Sequence, residues 1–495
     1  FHPSENSLAF LRLFFAALVL LDHAVPLGGF NQDRNPIAGL TMNQTSLGTL
    51  AVAGFFVISG FLVTRSFVTS STSLRYIWKR FLRIFPGFWV CLFVIVFAAA
   101  PIVYLQQQGN LHGYLQGHVD SPSSFVKANF WLGLPGVMSH WSIDGLLTKT
   151  PYRSTFDGSL WTLSYEFKCY LGVGLLGLFG LLRYGRYAVL ALSTGLWTAE
   201  LAQTLAPGSV GRLVPVLGDP QLIDLAFLFS LGTVLFLFRE KIPMADWCAG
   251  LAVVAFVVSL RTSLYAEVGQ IAFAYLCFWL AVRLPVRHAD RYGDFSYGLY
   301  IYAFPVEQMA SLYHLNRWGY VPYVAITMVV SIGVAIVSWH VVEQPAMKLK
   351  GFKLPMPSRD LLKSVRASVA VGLVAVVGLL VVASCGVTTT SSLASLKPAT
   401  EVLRPSNGAK LSGKIILDAS GVNTTSVTFR LFGGAYGYAA PVLCAATPTE
   451  VGWLCRWDST SVPDGSYILL SEAKNAHGRT FSAQRRITVQ NPPDT

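Results

Sequence analysis

The sequence predicts an α-helical polytopic membrane protein, with about ten spans in its first domain plus one extra span, followed by a small all-β sandwich domain. Three observations predict this fold class. Hydrophobic residues make up 53% of the 495 residues and charged residues only 13%, against roughly 25% charged residues in average soluble domains. About eleven apolar stretches approach the roughly 20 residues that cross a bilayer core. After Cys385 the composition shifts to Ser, Thr and Asn with short β-type runs.

The apolar stretches define the predicted spans. An α-helix rises about 1.5 Å per residue, so each stretch is near the length that crosses a hydrocarbon core. The predicted spans are 8–29, 48–70, 84–105, 161–182, 187–206, 221–238, 243–260, 267–283, 296–313, 321–343 and 367–385.

Basic residues predict the orientation of these spans. They cluster in alternate loops, at 65–83, 183–186, 239–241, 283–291 and 348–366. Positively charged loops stay in the cytoplasm, so the amino terminus is predicted inside and the carboxyl-terminal domain outside. The same placement accounts for the net charge of +12, and no nucleic-acid partner is expected.

The chain divides into five predicted segments. They are a membrane domain (1–350), a basic cytoplasmic linker (351–366), the additional transmembrane helix (367–385), a second linker (386–397) and the β-sandwich (398–495). In the last segment, runs at 414–418, 426–432 and 466–472 have strand-forming composition and are separated by turn signals.

The predicted β-sandwich resembles bacterial immunoglobulin-like modules. Cys444 and Cys455 are its only cysteines, and an extracytoplasmic location permits a disulfide between them. Two free buried thiols are the alternative. The module is expected to bind or present a glycan, or only to cap the membrane domain.

A polar stripe marks the first span. Arg12 and His23 are eleven residues apart, which is close to three helical turns, so both side chains leave the same face. A positive charge inside a bilayer costs at least about 2.5 kcal/mol and usually faces a protein-lined interior. Singly, Arg12 could snorkel to the headgroups and His23 could make an interhelical hydrogen bond. Asp22 lies about 100° around the helix from His23 and need not touch it.

Six motifs, taken in order and spacing, resemble the membrane acyltransferase 3 family. They cover roughly residues 5–350. The motifs are Phe10-Leu11-Arg12 followed by His23, FFVISGFL at 55–62, RFLRIFP at 80–86, GSLWTLSYE at 158–166, FSYGLY at 295–300 and VEQP at 342–345.

The resemblance implies transfer of an acyl group, commonly acetyl, from cytoplasmic acyl-CoA to a hydroxyl of an extracytoplasmic glycan or glycolipid at the bacterial inner membrane. His23 matches the family's functional histidine, Arg12 the first-span arginine, and Arg80 with Arg83 the R-x-x-R motif of the donor site. The chemistry agrees, because a neutral imidazole can take the proton of an attacking hydroxyl and paired arginines can hold phosphates. For Arg80 and Arg83, topology signalling or lipid-headgroup contact is the alternative.

Glu166 is the second predicted catalytic residue, since a carboxylate there could orient the acceptor or complement Arg12 or His23. A helix-start carboxylate at the headgroup boundary is the alternative. Asp22, Trp161 and Tyr165 are predicted to contact the acceptor, although aromatics at a span end often anchor it at the interface.

Two positions depart from the family pattern. Asp157 stands where relatives often carry Asn, and residues 51–54 (AVAG) replace a lead-in in which some relatives carry a carboxylate.

The expected partners are acyl-CoA, an envelope glycan or glycolipid, and membrane lipid. Acyl-CoA is a substrate, and no tightly bound cofactor or metal is expected, since the chain has no phosphate loop, Cys-x-x-Cys pair or His-Glu-x-x-His motif. The alternative function is a membrane transporter whose polar path follows the first span. A catalytically silent assembly factor for envelope polymers is a third possibility.

Overall fold

The chain folds into a helical domain followed by an all-β domain, which confirms the predicted fold class. The structure is a computed structural model. It describes residues 6–30, 41, 44–115, 121–132, 143, 146–152, 155–205, 210, 219–262, 264–352, 399–405, 408–422, 424–436, 441–449, 452–474 and 480–491.

The helical domain consists of long helices, several of them extended by π-helical turns. The helices are α1 (Leu8–Gly28), α2 (Leu47–Val68), α3 (Ser73–Val94), α4 (Ala100–Gln108), α5 (Pro122–Asn129), α6 (Trp161–Leu178), α7 (Leu181–Tyr184), α8 (Arg186–Leu205), α9 (Pro220–Leu237), α10 (Asp246–Arg261), α11 (Gln270–Arg283), α12 (Ser296–Leu312), α13 (Tyr320–Ser338) and α14 (Gln344–Lys348). The π-helical turns are Ile95–Ala99, Tyr265–Gly269 and Trp339–Glu343.

A helix lies at each of the first ten predicted spans. The eleventh, 367–385, falls outside the described residues, as do most of the two predicted linkers. Six helical segments in the described ranges are long and apolar enough to cross a bilayer: Leu8–Gly28, Leu47–Val68, Ser73–Gln108, Pro220–Leu237, Tyr265–Arg283 and Tyr320–Gly351. The multi-pass character is therefore clear, whereas the count of eleven spans stays a prediction.

The third helix differs from its predicted span. It begins at Ser73, eleven residues before the predicted start at 84, because Thr72 caps it by accepting a hydrogen bond from the amide of Arg75 at 3.2 Å. A hydropathy pattern detects only the apolar turns, so the basic first turns escaped the prediction. Arg80 and Arg83 consequently lie on a helix rather than in a loop.

The centre of the helical domain is α2, which packs against α1 on one side and α9 on the other. Most of α2 is buried, including Val57, Ile58 and Phe61. By contrast, α10 and α13 expose large apolar side chains such as Leu251 and Val321, as expected of helices that face lipid.

The described residues of the all-β domain form eight strands whose hydrogen-bonded order is β1-β3-β6-β5-β4-β7-β8-β2. They are β1 (Ala399–Arg404), β2 (Ala409–Leu411), β3 (Lys414–Val422), β4 (Ser426–Phe432), β5 (Val442–Thr449), β6 (Gly452–Asp458), β7 (Gly465–Lys474) and β8 (Thr480–Val489). All the neighbouring pairs are antiparallel except β2 with β8. The three runs predicted as strands are confirmed as parts of β3, β4 and β7.

Alternating burial along β4 and β7 buries one face of the sheet. The first half of β5 pairs with β4 and its second half with β6, so β5 connects the two sets of strands. A disulfide between Cys444 and Cys455 joins β5 to β6. The resemblance of this domain to immunoglobulin-like modules stays a prediction.

The all-β domain contacts the end of the helical domain at which α1 finishes. Tyr152 donates a hydrogen bond to Asp418 at 3.5 Å, and the Arg404 guanidinium lies over the Tyr152 ring at 4.7 Å. Arg456 donates to the backbone carbonyl of Gly29, just after α1. Leu27, Tyr152, Phe304 and Leu454 form an apolar cluster across this interface. We call this the β-side end of the helical domain.

Candidate active site

A cluster of ion pairs lies at the end of the helical domain opposite the β-side end. The Arg12 Nη1 and Arg83 Nη2 atoms each lie 2.6 Å from the same oxygen, Asp294 Oδ2, and Ser296 donates to the other carboxylate oxygen at 2.6 Å. Glu343 lies 3.6 Å from Arg83. Burial by itself raises the pKa of Asp294, but Arg12 and Arg83 outweigh it and hold that pKa below its ordinary value. Asp294 is therefore ionised and shared by two cations.

The two arginines of the R-x-x-R motif contact different helices. Arg83 is buried, and its guanidinium lies over the rings of Tyr297 in α12 and Trp339 after α13. Arg80 lies over the ring of Tyr170 in α6, at 5.7 Å. One helix face places both side chains toward the interior, as i and i+3 spacing predicts, but only Arg83 joins the carboxylates.

A narrow cavity begins beside Arg12, and we call it the central cavity. Its volume is about 410 Å³. Arg12 and Glu166, of opposite charge, both line it. The complete lining is Arg12, Val52, Phe55, Phe56, Thr162, Leu163, Glu166, Ser296, Tyr297 and Tyr300. The chain thus brings together residues from motifs that lie far apart in the sequence.

Two hydroxyl groups hold Glu166 at the central cavity. Ser59 of α2 and Tyr170 of α6 both donate to Glu166 Oε1, at 2.9 and 2.6 Å. Because Arg80 lies over the Tyr170 ring, these contacts link Glu166 to the R-x-x-R motif. Glu166 is thereby positioned between α2 and α6, at the wall of the central cavity.

His23 lies farther along α1, toward the β-side end. It is 2% exposed, and its ring packs edge-on against Phe304 of α12 with the ring centres 5.3 Å apart. Arg12 bonds Asp294 just before α12, so both residues of the stripe face the same neighbouring helix. His23 is not among the residues that line the central cavity.

Asp22 begins a short series of polar contacts. Ser46 Oγ donates to Asp22 Oδ2 at 3.1 Å, and the hydroxyls of Ser46 and Thr49 lie 3.2 Å apart. Ser46 also caps α2 by accepting from the Thr49 amide. Thr49 lines a second cavity, at the β-side end. Asp22, the residue next to His23, is therefore linked through Ser46 and Thr49 to that second cavity.

Trp161 and Tyr165 occupy different positions. Trp161 lines the second cavity, whereas the Tyr165 hydroxyl donates to Asp219 Oδ2 at 2.6 Å, at the residue that caps α9. Lys168 Nζ also lies 4.7 Å from the centre of the Tyr165 ring. Of the two aromatics predicted to contact an acceptor, only Trp161 lies at this cavity.

The FSYGLY motif joins the other motifs through its tyrosine hydroxyls. Tyr300 shares a 2.6 Å hydrogen bond with Thr162 and donates to the Ser159 carbonyl at 3.0 Å. Tyr297 donates to the carbonyl of Ile84 at 2.7 Å. These bonds fasten α12 to both α6 and α3.

Asp157, at the position where relatives often carry Asn, completes the turn before α6. It is fully buried and accepts a 2.9 Å hydrogen bond from the Ser159 amide. An Asn side chain has a carbonyl oxygen that could accept the same bond. The departure from the family pattern therefore leaves the turn intact.

Sequence reasoning missed Asp294, Ser59 and Tyr170. Asp294 directly precedes the FSYGLY motif. A cation inside a membrane requires a negatively charged partner, and this requirement of Arg12 could have pointed to Asp294. Ser59 and Tyr170 carry no such signal, because hydroxyl groups inside apolar spans usually satisfy their own helix.

Comparisons with known proteins agree with these motifs. A family model described as an acyltransferase domain matches residues 5–340. An "O-acetyl transferase" of Shigella phage Sf6 is 26% identical over 354 residues, covering 70% of this chain and 97% of the relative. "Nodulation protein 10" of Rhizobium leguminosarum bv. viciae is 28% identical over 374 residues, covering 70% of this chain and 94% of the relative. No solved structure matches.

Proposed function

Since the chain belongs to the acyltransferase family whose model matches residues 5–340, and is thus a membrane O-acyltransferase of the O-acetyltransferase type, we propose its substrates and its direction of transfer. An acetyl group passes from acyl-CoA, at the cytoplasmic face of the bacterial inner membrane, to a hydroxyl of an extracytoplasmic glycan or glycolipid. The observation that carries this proposal is the central cavity, which lies between the arginine cluster and the β-side end with Arg12 and Glu166 both on its walls.

The donor is proposed to enter at the end that carries Arg80 and Arg83. Acyl-CoA carries several phosphate charges, and guanidinium groups bind phosphate oxygens in pairs. Arg83 already forms ion pairs with Asp294 and Glu343. Arg80 is therefore the more available of the two for a phosphate group. We therefore assign Arg80 to the donor phosphates, while Arg83 and Asp294 hold Arg12 beside the cavity.

The proposed reaction is attack of the acceptor hydroxyl on the thioester carbonyl. His23 takes the hydroxyl proton as general base while the new carbon–oxygen bond forms. The carbon–sulfur bond then breaks, and the departing CoA thiolate takes up a proton from the imidazolium. Arg12, about 16 Å from His23 along the axis of α1, is too far away to act on the same carbonyl group, so we assign it to binding of the acyl-CoA donor on its way to His23. Glu166, fixed by Ser59 and Tyr170, orients the reacting groups.

The polar series from Asp22 through Ser46 to Thr49 supports an acceptor that arrives from the β-side end. That end is the extracytoplasmic one in the proposed orientation, with the amino terminus inside. The printed name of the phage relative, an O-acetyl transferase, supports acetyl as the transferred group. The identity of the glycan is left to experiment.

The test is transfer of label by the purified protein in lipid nanodiscs. Radiolabelled acetyl-CoA and a preparation of the host's envelope glycans are incubated with wild type, His23→Ala and His288→Ala, a control in an exposed loop. Label is expected on the glycan with wild type and with His288→Ala, and not with His23→Ala, provided that the melting temperature of the His23 variant matches that of wild type.

Three other results would each contradict one part of the proposal. Equal labelling by a folded His23→Ala variant would remove His23 as the base. Acetyl-CoA binding without transfer would reject the glycan acceptor. If acetyl-CoA does not bind at all, the proposed donor is wrong and a transport function becomes the better explanation.

A further inference from the structure

The second cavity, at the β-side end, has the chemistry of a carbohydrate site. We call it the β-side cavity. Its volume is about 660 Å³, which is larger than that of the central cavity. Four helix starts form its walls: Thr49 at the start of α2, Trp161 at that of α6, Asp224 at that of α9 and Gln270 at that of α11.

A buried amide organises the polar wall of this cavity. The Gln270 Nε2 donates to Asp224 Oδ1 at 2.5 Å and to Glu200 Oε1 at 3.2 Å. Gln270 is 3% exposed, and its Oε1 has no hydrogen-bond partner among the described residues. Asp224 and Gln270 both line the cavity and give it a polar wall. Carboxyl and amide groups form hydrogen bonds with hydroxyl groups, so this wall favours a ligand rich in hydroxyls.

The remaining walls narrow the choice of ligand. Trp161 offers an indole face beside the acidic wall, and an aromatic face next to hydrogen-bonding groups suits a sugar ring. None of the described residues that line the cavity is a Lys or an Arg, so nothing on these walls would pair with a phosphorylated or otherwise anionic ligand. A neutral, hydroxyl-rich ring fits both walls.

The all-β domain supplies the last wall. Thr449, at the end of β5 in the β5–β6 hairpin, lines the cavity beside Trp161 and Gln270. Its hydroxyl donates to the Gly452 carbonyl across the hairpin at 2.8 Å. The disulfide between Cys444 and Cys455 ties the same two strands together. A cross-linked hairpin is a rigid element, which suits a binding wall.

We propose that the β-side cavity binds a neutral sugar residue of the acceptor glycan, and that the β5–β6 hairpin of the all-β domain forms part of this site. The inference rests on the proposed function, because it names the acceptor site of the same reaction. The all-β domain is then a substrate-binding part of the enzyme rather than a spacer.

The position of the cavity supports this role. Val52 of α2 lines both the central cavity and the β-side cavity, so one layer of side chains separates them. Thr49, on the wall, also ends the polar series that begins at Asp22. The β-side cavity is thus linked through Thr49 and Ser46 to Asp22, the residue before His23.

Two variants test the site from opposite sides. Thr449→Trp fills the cavity from the all-β domain, and Gln270→Leu removes the amide from the helical wall. The matched control is Thr480→Trp, at an exposed position of β8. The probe is the host's envelope glycan preparation, first bound directly to nanodisc-embedded protein without acetyl-CoA and then used in transfer at saturating acetyl-CoA.

Both cavity variants are expected to weaken glycan binding and to raise the half-saturating glycan concentration by about tenfold or more. The half-saturating acetyl-CoA concentration should stay unchanged, whereas a general folding defect would alter it as well. Thr480→Trp should resemble wild type throughout.

The outcomes separate this inference from the proposed function. Wild type that binds glycan but transfers no label would reject the proposed reaction, and the variants would still report on the site. Unchanged glycan binding in both folded variants, or no glycan binding by wild type, would overturn the β-side cavity as the acceptor site. A parallel loss of acetyl-CoA binding would also overturn it.

Discussion

Asp294 serves two arginines that come from different helices. Its Oδ2 atom lies 2.6 Å from both Arg12 and Arg83, and its other oxygen accepts from Ser296. Glu343 lies 3.6 Å from Arg83 as a further acidic group beside this pair of cations. The position of Arg12 at the central cavity therefore depends on Asp294.

Replacing Asp294 with Asn should release Arg12. The side chains of Arg83 and Asp294 are 9% and 21% exposed, and leaving one member of a largely buried ion pair without its partner costs on the order of 3 kcal/mol. We expect a lower melting temperature in nanodiscs and a large loss of transfer, whereas Asp290→Asn, an exposed acid in the same connection, should change neither. Equal melting curves for the two variants would contradict this account.

Glu166 carries a negative charge at the central cavity. Glu166→Gln preserves the size of the side chain and its hydrogen bonds from Ser59 and Tyr170, but removes the charge. We expect kcat to fall by about a hundredfold or more, as for loss of a group that acts on the reacting atoms, with little change in acetyl-CoA binding. Steady-state kinetics with labelled acetyl-CoA measure this, and Glu240→Gln, whose side chain is 84% exposed, is the control. An unchanged kcat would assign Glu166 a structural role.

The helices α2 and α9 cross with their backbones close together at two glycines. A Cβ atom built on Gly60 would lie 1.9 Å from the Phe229 carbonyl oxygen, and one on Gly232 would lie 1.9 Å from the Val57 carbonyl oxygen. The glycines permit the two backbones to touch, as small residues do in membrane helix pairs. Gly60 follows Ser59, so this crossing also sets the position of the hydroxyl that holds Glu166.

Gly60→Ala should push the two helices apart. A methyl group that meets backbone cannot be accommodated by a side-chain rotation, and overpacking of this kind costs about 1–3 kcal/mol. Gly250→Ala is the control, because a Cβ there meets nothing within 4 Å. We expect a lower melting temperature and reduced transfer only for Gly60→Ala. A Gly60 variant as stable as the Gly250 variant would show that α2 and α9 adjust freely.

At the scale of the whole molecule, a buried acid lies at the interface between the two domains. Asp418 is 2% exposed, and burial raises its pKa to about 7, although Arg404 and the hydrogen bond from Tyr152 partly oppose this. Because the folded pKa lies above the unfolded value, the contribution of Asp418 to stability is full below about pH 4 and is lost as the pH rises through about 7. The interface should therefore weaken between pH 4 and pH 8.

Asp418→Asn should remove this pH dependence. The variant is expected to match wild type near pH 4 and to exceed its stability at pH 8 by at most about 4 kcal/mol. Calorimetry of the full chain in nanodiscs between pH 4 and pH 8 measures the difference. Glu401→Gln, at a 64% exposed position, should retain the pH profile of wild type. A variant less stable than wild type at every pH would refute the assignment to Asp418.

Local sequence patterns predicted some features of the two domains and of the active site and missed others. Hydropathy located a helix at each of the first ten predicted spans, since the length of an apolar run reflects the thickness of a bilayer. It misplaced the start of α3, because a capped basic turn extends a helix without being apolar. The stripe of Arg12 and His23 followed from helical periodicity, and in the structure both residues face α12.

The sequence by itself determined the membrane class, the presence of a helix at each of the first ten predicted spans, three strands of the all-β domain and the family, because each rests on residues close together in the chain or on a set of motifs. Only the tertiary structure decided which charges meet. Asp294 pairs with Arg12 across 282 residues of sequence and with Arg83 across 211. The β-side cavity likewise joins the starts of four helices to one strand of the last domain. Such contacts depend on how helices pack, and packing is a property of distant side chains together rather than of any single segment.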